Sequence, residues 1–126
     1  MTFIWILIII FVLFILFQKR GAQLHIPAVD LKNRLDQKEP LILIDVRNPD
    51  EYHGPQGHIE NAVLNPISQI SSWADTLKES SNTIILICHV GNRSLAAARY
   101  LSSRGISAYN LKGGMTAWHQ HGFPVK

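Results

Sequence analysis

Ile84-Ile85-Leu86-Ile87-Cys88-His89-Val90-Gly91-Asn92-Arg93-Ser94 is the stretch on which the reading of this chain turns. A run of β-branched residues and leucine ends at the only cysteine in the protein. A glycine loop and an arginine follow, and then Ser94-Leu95-Ala96-Ala97-Ala98-Arg99-Tyr100-Leu101 has the composition of a helix. An unbroken apolar run of this length suits a strand buried on both faces of a parallel sheet. The order strand, loop, helix sets Cys88 at the carboxyl end of its strand, where open α/β sheets carry their ligand sites. The first amides of the helix have no partners within it, and together with the helix dipole they favour an anion at that point. A cysteine thiolate is the first anion to benefit, since thiolates form beside helix N-termini and cationic side chains. Buried free cysteines are often inert small hydrophobes. A merely structural cysteine needs no anion cradle after it, so Cys88 reads as a nucleophile.

Working outward, three stretches together resemble the rhodanese-like sulfurtransferase family. Cys88-x-x-Gly91-x-Arg93 looks like that family's active-site loop. Upstream stand Asp45-Val46-Arg47, Glu51-Tyr52, Gly57-His58-Ile59, Asn61-Ala62 and Asn65-Pro66; downstream stand Gly105-Ile106, Leu111-Lys112-Gly113-Gly114-Met115 and Trp118. The match runs in order from Leu24 to Lys126, with Asn61 where the family commonly has glycine. Asparagine tolerates the left-handed backbone better than most residues, which makes the departure mild. The resemblance implies a two-step sulfur transfer through a persulfide on Cys88, with a small-molecule donor such as thiosulfate and a thiol, cyanide or protein acceptor. It implies that the loop His89, Val90, Gly91, Asn92 and Arg93 binds the substrate, with no cofactor. Arg93 then has two readings, a fork for an anionic donor or an inward salt bridge that braces the loop. Two rivals remain: a membrane-tethered sulfur relay or interaction module, and an arsenate reductase or phosphatase. The latter enzymes carry one more residue between cysteine and arginine than the four that separate Cys88 from Arg93.

The remaining elements fit an α/β fold, a single domain over residues 24–126 with a mostly parallel central sheet and helices on both faces. Strands are expected at Leu24–Ile26, Leu41–Val46, Ala62–Asn65 and Ala108–Leu111. Pro27 suits the first position of a helix whose stripe is Leu31 and Leu35 and which Glu39-Pro40 ends. Ile70, Trp73 and Leu77 recur at helical spacing. Ala97, Ala98 and Leu101 are expected to face the sheet, and Gly105 to end their helix in the left-handed conformation. Gly113-Gly114 is expected to turn tightly beside the cysteine loop, before a helix from Met115 to His121 that carries Trp118 into the core. Arg47 and Glu51, four apart, are expected to pair with each other, and Asp45 to tie down loop backbone. Six histidines raise the question of a metal, but none stands at a zinc-ligand spacing with the cysteine, so no metal is expected.

Composition bounds the rest. The 126 residues suffice for one domain of ordinary size. Taking Lys19 and Arg20 from the 12 basic residues leaves 10 against 9 acidic ones, without the basic patch of a nucleic-acid binder. One cysteine excludes an internal disulfide and fits a reducing compartment. Phe3 to Phe17 are all apolar. At 1.5 Å per residue this span approaches, but does not reach, the ~30 Å of a bilayer core. No Lys or Arg precedes it and no small-residue cleavage site follows, which disfavours a signal peptide. The expectation is therefore one transmembrane helix over residues 1–18, a linker over 19–23, and, because Lys19 and Arg20 follow the span, a domain on the cytoplasmic side.

Overall fold

In a computed structural model, residues 1–22 and 25–126 are described, without the side chains of residues 18–22. The carboxyl end of the central strand organises them. Five strands lie side by side in the order β1-β5-β4-β2-β3, and all pairs are parallel. They are β1 (His25–Ile26), β2 (Leu41–Asp45), β3 (Val63–Leu64), β4 (Thr83–Ile87) and β5 (Ala108–Leu111). Leu24, expected in β1, lies outside the described residues.

Alternation along β4 explains why its sequence is apolar from Ile84 to Ile87. Ile84 and Leu86 pack into one core with Trp73, Ala97, Ala98 and Leu101, whereas Ile85 and Ile87 pack into another with Leu31, Met115 and Trp118. A strand covered on both faces has no side to leave polar. The first core is closed by α5 (Asn92–Ser103) and the second by α2 (Ala28–Asp36) and α6 (Gly114–Gln120). The end of α5 follows the expected chemistry. Gly105 has φ 78°, its amide donates to Ser102 O, and Ile106 N reaches back to Leu101 O, satisfying carbonyls that the last turn would leave open.

Some local expectations require correction. Pro27 is the N-cap of α2, in extended conformation, and not its first helical residue. The helix ends at Asp36, before Glu39-Pro40, and Lys38 takes a positive φ of 55°. The segment carrying Ile70, Trp73 and Leu77 is not one amphipathic helix. It is a 3-10 turn (Ile67–Gln69), a single turn α4 (Ile70–Trp73) and another 3-10 turn (Ala74–Leu77). Trp73 Nε1 donates to Pro66 O across these turns, a bond that periodicity does not reveal.

The N-terminal segment is helical, α1 (Thr2–Ala22), so the expected linker over 19–23 is helix through Ala22, and Gln23 lies outside the described residues. The apolar side chains from Phe3 to Phe17 are exposed, and none joins either core. Among the described residues no helix is long and apolar enough to cross a membrane. The expected transmembrane helix is therefore unsupported.

Candidate active site

Cys88 follows β4 directly and is 1% exposed. The chain then turns through Gly91, at φ 104°, into α5. That conformation is open to glycine, and a Cβ at Gly91 would also stand 3.2 Å from Gly113 N. The turn points the Gly91 amide back at the sulfur, N to Sγ 3.0 Å. Ser94, in the first turn of α5, brings its hydroxyl to 3.3 Å from the same sulfur. One fixed N–H and one rotatable O–H thus converge on Sγ at a helix N-terminus. This is an arrangement for holding negative charge on sulfur.

The loop is held from behind by the start of α6. Met115 N donates to Cys88 O at 2.8 Å and Thr116 N to His89 O at 3.0 Å. This approach requires Gly114, at φ 56°, where a Cβ would lie 2.4 Å from Cys88 O and 2.6 Å from His89 O. Gly114→Ala should displace the loop and lower activity at least tenfold, with a fall in thermal stability of about 2 kcal/mol. Parallel assays and melting curves check both parts, and a fully active, fully stable variant would refute the close approach.

Arg93 does not offer its fork to the loop interior. It makes a bidentate pair with Glu51, Nη1 to Oε1 at 2.6 Å and Nη2 to Oε2 at 2.7 Å. Hydrogen bonding from Arg93 holds the Glu51 carboxyl down from 4.5 to about 2, and the same bond raises Arg93 further. The expected Arg47–Glu51 pair is therefore absent. Arg47, wholly buried, pairs instead with Asp45 (Nε to Oδ1 2.9 Å, Nη2 to Oδ2 2.8 Å) and donates to Gly57 O at 2.7 Å. Asp45 does tie down loop backbone, accepting from Arg47 N at 3.1 Å. Helical spacing could not show this exchange of partners, because β2 and the turn after it send Arg47 inward while α3 (Pro49–Tyr52) carries Glu51 toward the cysteine loop.

His89 and Val90, next in the loop, are exposed. His89 Nδ1 lies 2.8 Å from Gln56 Oε1, and His119 Nε2 lies 2.7 Å from Gln56 O, so Gln56 links the loop to α6. Asn92 is exposed at the start of α5. Among the described residues no group of three or more His, Cys, Asp or Glu side chains could hold a metal ion.

The family model for the rhodanese-like domain matches residues 27–121, which include every element of the sheet but β1. The chain belongs to the rhodanese-like family. A sulfurtransferase from Allochromatium vinosum is 33% identical over 102 residues, covering 80% of this chain and 92% of that protein. A rhodanese-related protein from Thermoplasma volcanium superposes with a TM-score of 0.70 at 33% identity, covering 79% of this chain and 94% of that one. A rhodanese-like domain protein from Staphylococcus aureus gives 0.69 at 33%, covering 81% and 97%.

In this rhodanese-like domain the candidate residues from the sequence separate into two groups. Cys88 and Gly91 meet at the sulfur, whereas the others turn away from it, His89 and Arg93 engaged with Gln56 and Glu51 and Val90 and Asn92 exposed. Ser94, Glu51, Gln56 and Asn110 were not expected at the site. Of these, Asn110 carried a signal, as a polar residue inside an otherwise apolar strand.

The Glu51–Arg93 pair carries a pH dependence of definite sign. Its carboxyl is depressed in the folded state, so its contribution is complete above about 4.5 and is lost as pH falls toward about 2. Both side chains are about one-third exposed, which limits the contribution to about 1 kcal/mol after solvent screening. Glu51→Gln should lower stability at pH 7 by about that amount and flatten the acid limb between these values. An unchanged acid limb would show that the pair contributes nothing.

Proposed function

We propose that this protein is a sulfurtransferase in which Cys88 carries the transferred sulfur. The single observation on which the reading rests is the buried sulfur of the chain's only cysteine, which accepts the Gly91 N–H at the head of α5. Relatives named as sulfurtransferases support it. The Cys88 thiolate attacks the outer sulfur of thiosulfate, the S–S bond breaks, and sulfite leaves with the bonding electron pair. The product is a Cys88 persulfide, whose terminal charge the Gly91 amide and Ser94 hydroxyl stabilise. Cyanide or a thiolate then attacks the terminal sulfur, and the Cys88 thiolate is regenerated. No external oxidant or reductant enters. With Arg93 held by Glu51, the donor is oriented by loop amides, and Arg93 braces the loop. Arg93→Ala then lowers thermal stability and leaves KM for thiosulfate within about twofold. A much higher KM with unchanged melting would return Arg93 to the donor.

The domain works at a membrane, on the cytoplasmic side. In support, the exposed apolar face of residues 3–17 far exceeds the scattered apolar surface of an ordinary soluble chain. Lys19 and Arg20 follow this segment. Mass spectrometry after incubation with thiosulfate should show a gain of about 32 Da on Cys88, removed by cyanide. Failure to gain it would refute the transfer reading. The full chain should stay in the membrane fraction through carbonate washing, with residues 25–126 shielded from protease added to intact cells. Release into the wash, or digestion in intact cells, would refute the membrane assignment.

A further inference from the structure

The row of residues running across the sheet beneath the cysteine loop changes character midway. Ile44 on β2 is paired with Leu86 on β4, Leu86 with Asn110 on β5, and Asn110 with His25 on β1. The first two are core aliphatics, but Asn110 is a polar side chain only 2% exposed. Burying an amide is costly unless each end is bonded. Asn110 Oδ1 lies 2.8 Å from His25 Nδ1, and Nδ2 donates to Gly91 O at 3.1 Å. Since Gly91 O can only accept, the amide has a single orientation.

Gly91 O has a second donor, the backbone Leu95 N at 3.1 Å, and a third candidate, Ser94 Oγ at 3.2 Å. A carbonyl oxygen has two lone pairs, and Ser94 has one hydroxyl proton. That proton goes either to Gly91 O or to the sulfur of Cys88, 3.3 Å away. With Leu95 N and Asn110 Nδ2 occupying both lone pairs, it is left for the sulfur. Resting on the sulfur-transfer reading, we propose that Asn110 is a positioning residue: by satisfying Gly91 O and holding that glycine in place, it commits both the Gly91 amide and the Ser94 hydroxyl to the sulfur. His25, exposed on β1, fixes the Asn110 amide.

Asn110→Leu tests this with little damage to the core. Gly91 O keeps Leu95 N, Ser94 then turns to Gly91 O, and exposed His25 turns to water. The expected result is a kcat for transfer from thiosulfate about tenfold lower, with KM within about twofold and the melting temperature nearly unchanged. Ser94→Ala should lower kcat to a similar extent, and the double variant should lose clearly less than the product of the two single losses, because both variants remove the same Ser94 hydroxyl from the sulfur. Losses that multiply, or an unchanged kcat in Asn110→Leu, would overturn the proposal. Should Asn110→Leu fail to fold, His25→Ala decides: a fall of about threefold is expected, and unchanged kcat overturns the proposal. Amide hydrogen exchange separates this inference from the reading beneath it. The Gly91 amide should exchange faster in Asn110→Leu while Leu86 on β4 is unaffected, whether or not the wild-type protein transfers sulfur. A wild-type protein without transfer refutes the sulfurtransferase reading, and unaltered Gly91 exchange refutes the role of Asn110.

Discussion

Replacing Cys88 with serine is expected to abolish sulfur transfer and persulfide formation while leaving the fold intact. The serine Oγ can still accept the Gly91 amide, which now sits 3.0 Å from sulfur, and it is small enough for the same buried space. A hydroxyl is far less acidic and less nucleophilic than a thiol at neutral pH, so the attacking group itself is removed. The melting temperature should shift by a few degrees at most. Residual transfer above about one-tenth of wild type, equivalent to about 1.4 kcal/mol of barrier, would show that another group carries the sulfur.

The largest effect on stability is expected at Arg47, far less conspicuous in the sequence than the cysteine. Its guanidinium is wholly buried and serves Asp45 and Gly57 O together. Arg47→Met keeps much of the volume but leaves a buried carboxylate without its counter-charge and a carbonyl without its donor. Breaking a buried pair in this way costs about 3–5 kcal/mol. In a domain of this size that lowers the melting temperature on the order of 15 °C or more. Adding Asp45→Asn to Arg47→Met should recover part of the loss, since the orphaned charge disappears while an oxygen remains for Arg47's own position N–H, now that of methionine. A loss below about 1 kcal/mol in Arg47→Met would mean that water or a rearranged loop replaces the guanidinium.

Each prediction starts from a residue bonded to a near neighbour in the chain, Cys88 to Gly91 and Arg47 to Asp45, yet only one could have been made from the sequence. Cys88 was legible because everything that acts on it first is local: an apolar strand before it, a glycine turn and a helix N-terminus after it. The same holds for Gly105, whose left-handed cap depends on its own helix, and for Gly113-Gly114, where paired glycines announce a close approach. Arg47 was misread because the helical i,i+4 rule supposes both residues on one helix, and only Glu51 lies on one.

By itself, then, the sequence determined the parallel α/β architecture, the strand that ends at the cysteine, and the cysteine as the candidate nucleophile. These follow from apolar periodicity and short-range backbone geometry, which are properties of contiguous residues. The tertiary structure alone decided the partners: Glu51 to Arg93 across 42 positions, Asn110 to Gly91 across 19, and His25 to Asn110 across 85. Charges and amides pair with whatever the sheet order brings within about 3 Å, and that order is set by the burial of both sheet faces rather than by any residue's neighbours in the chain.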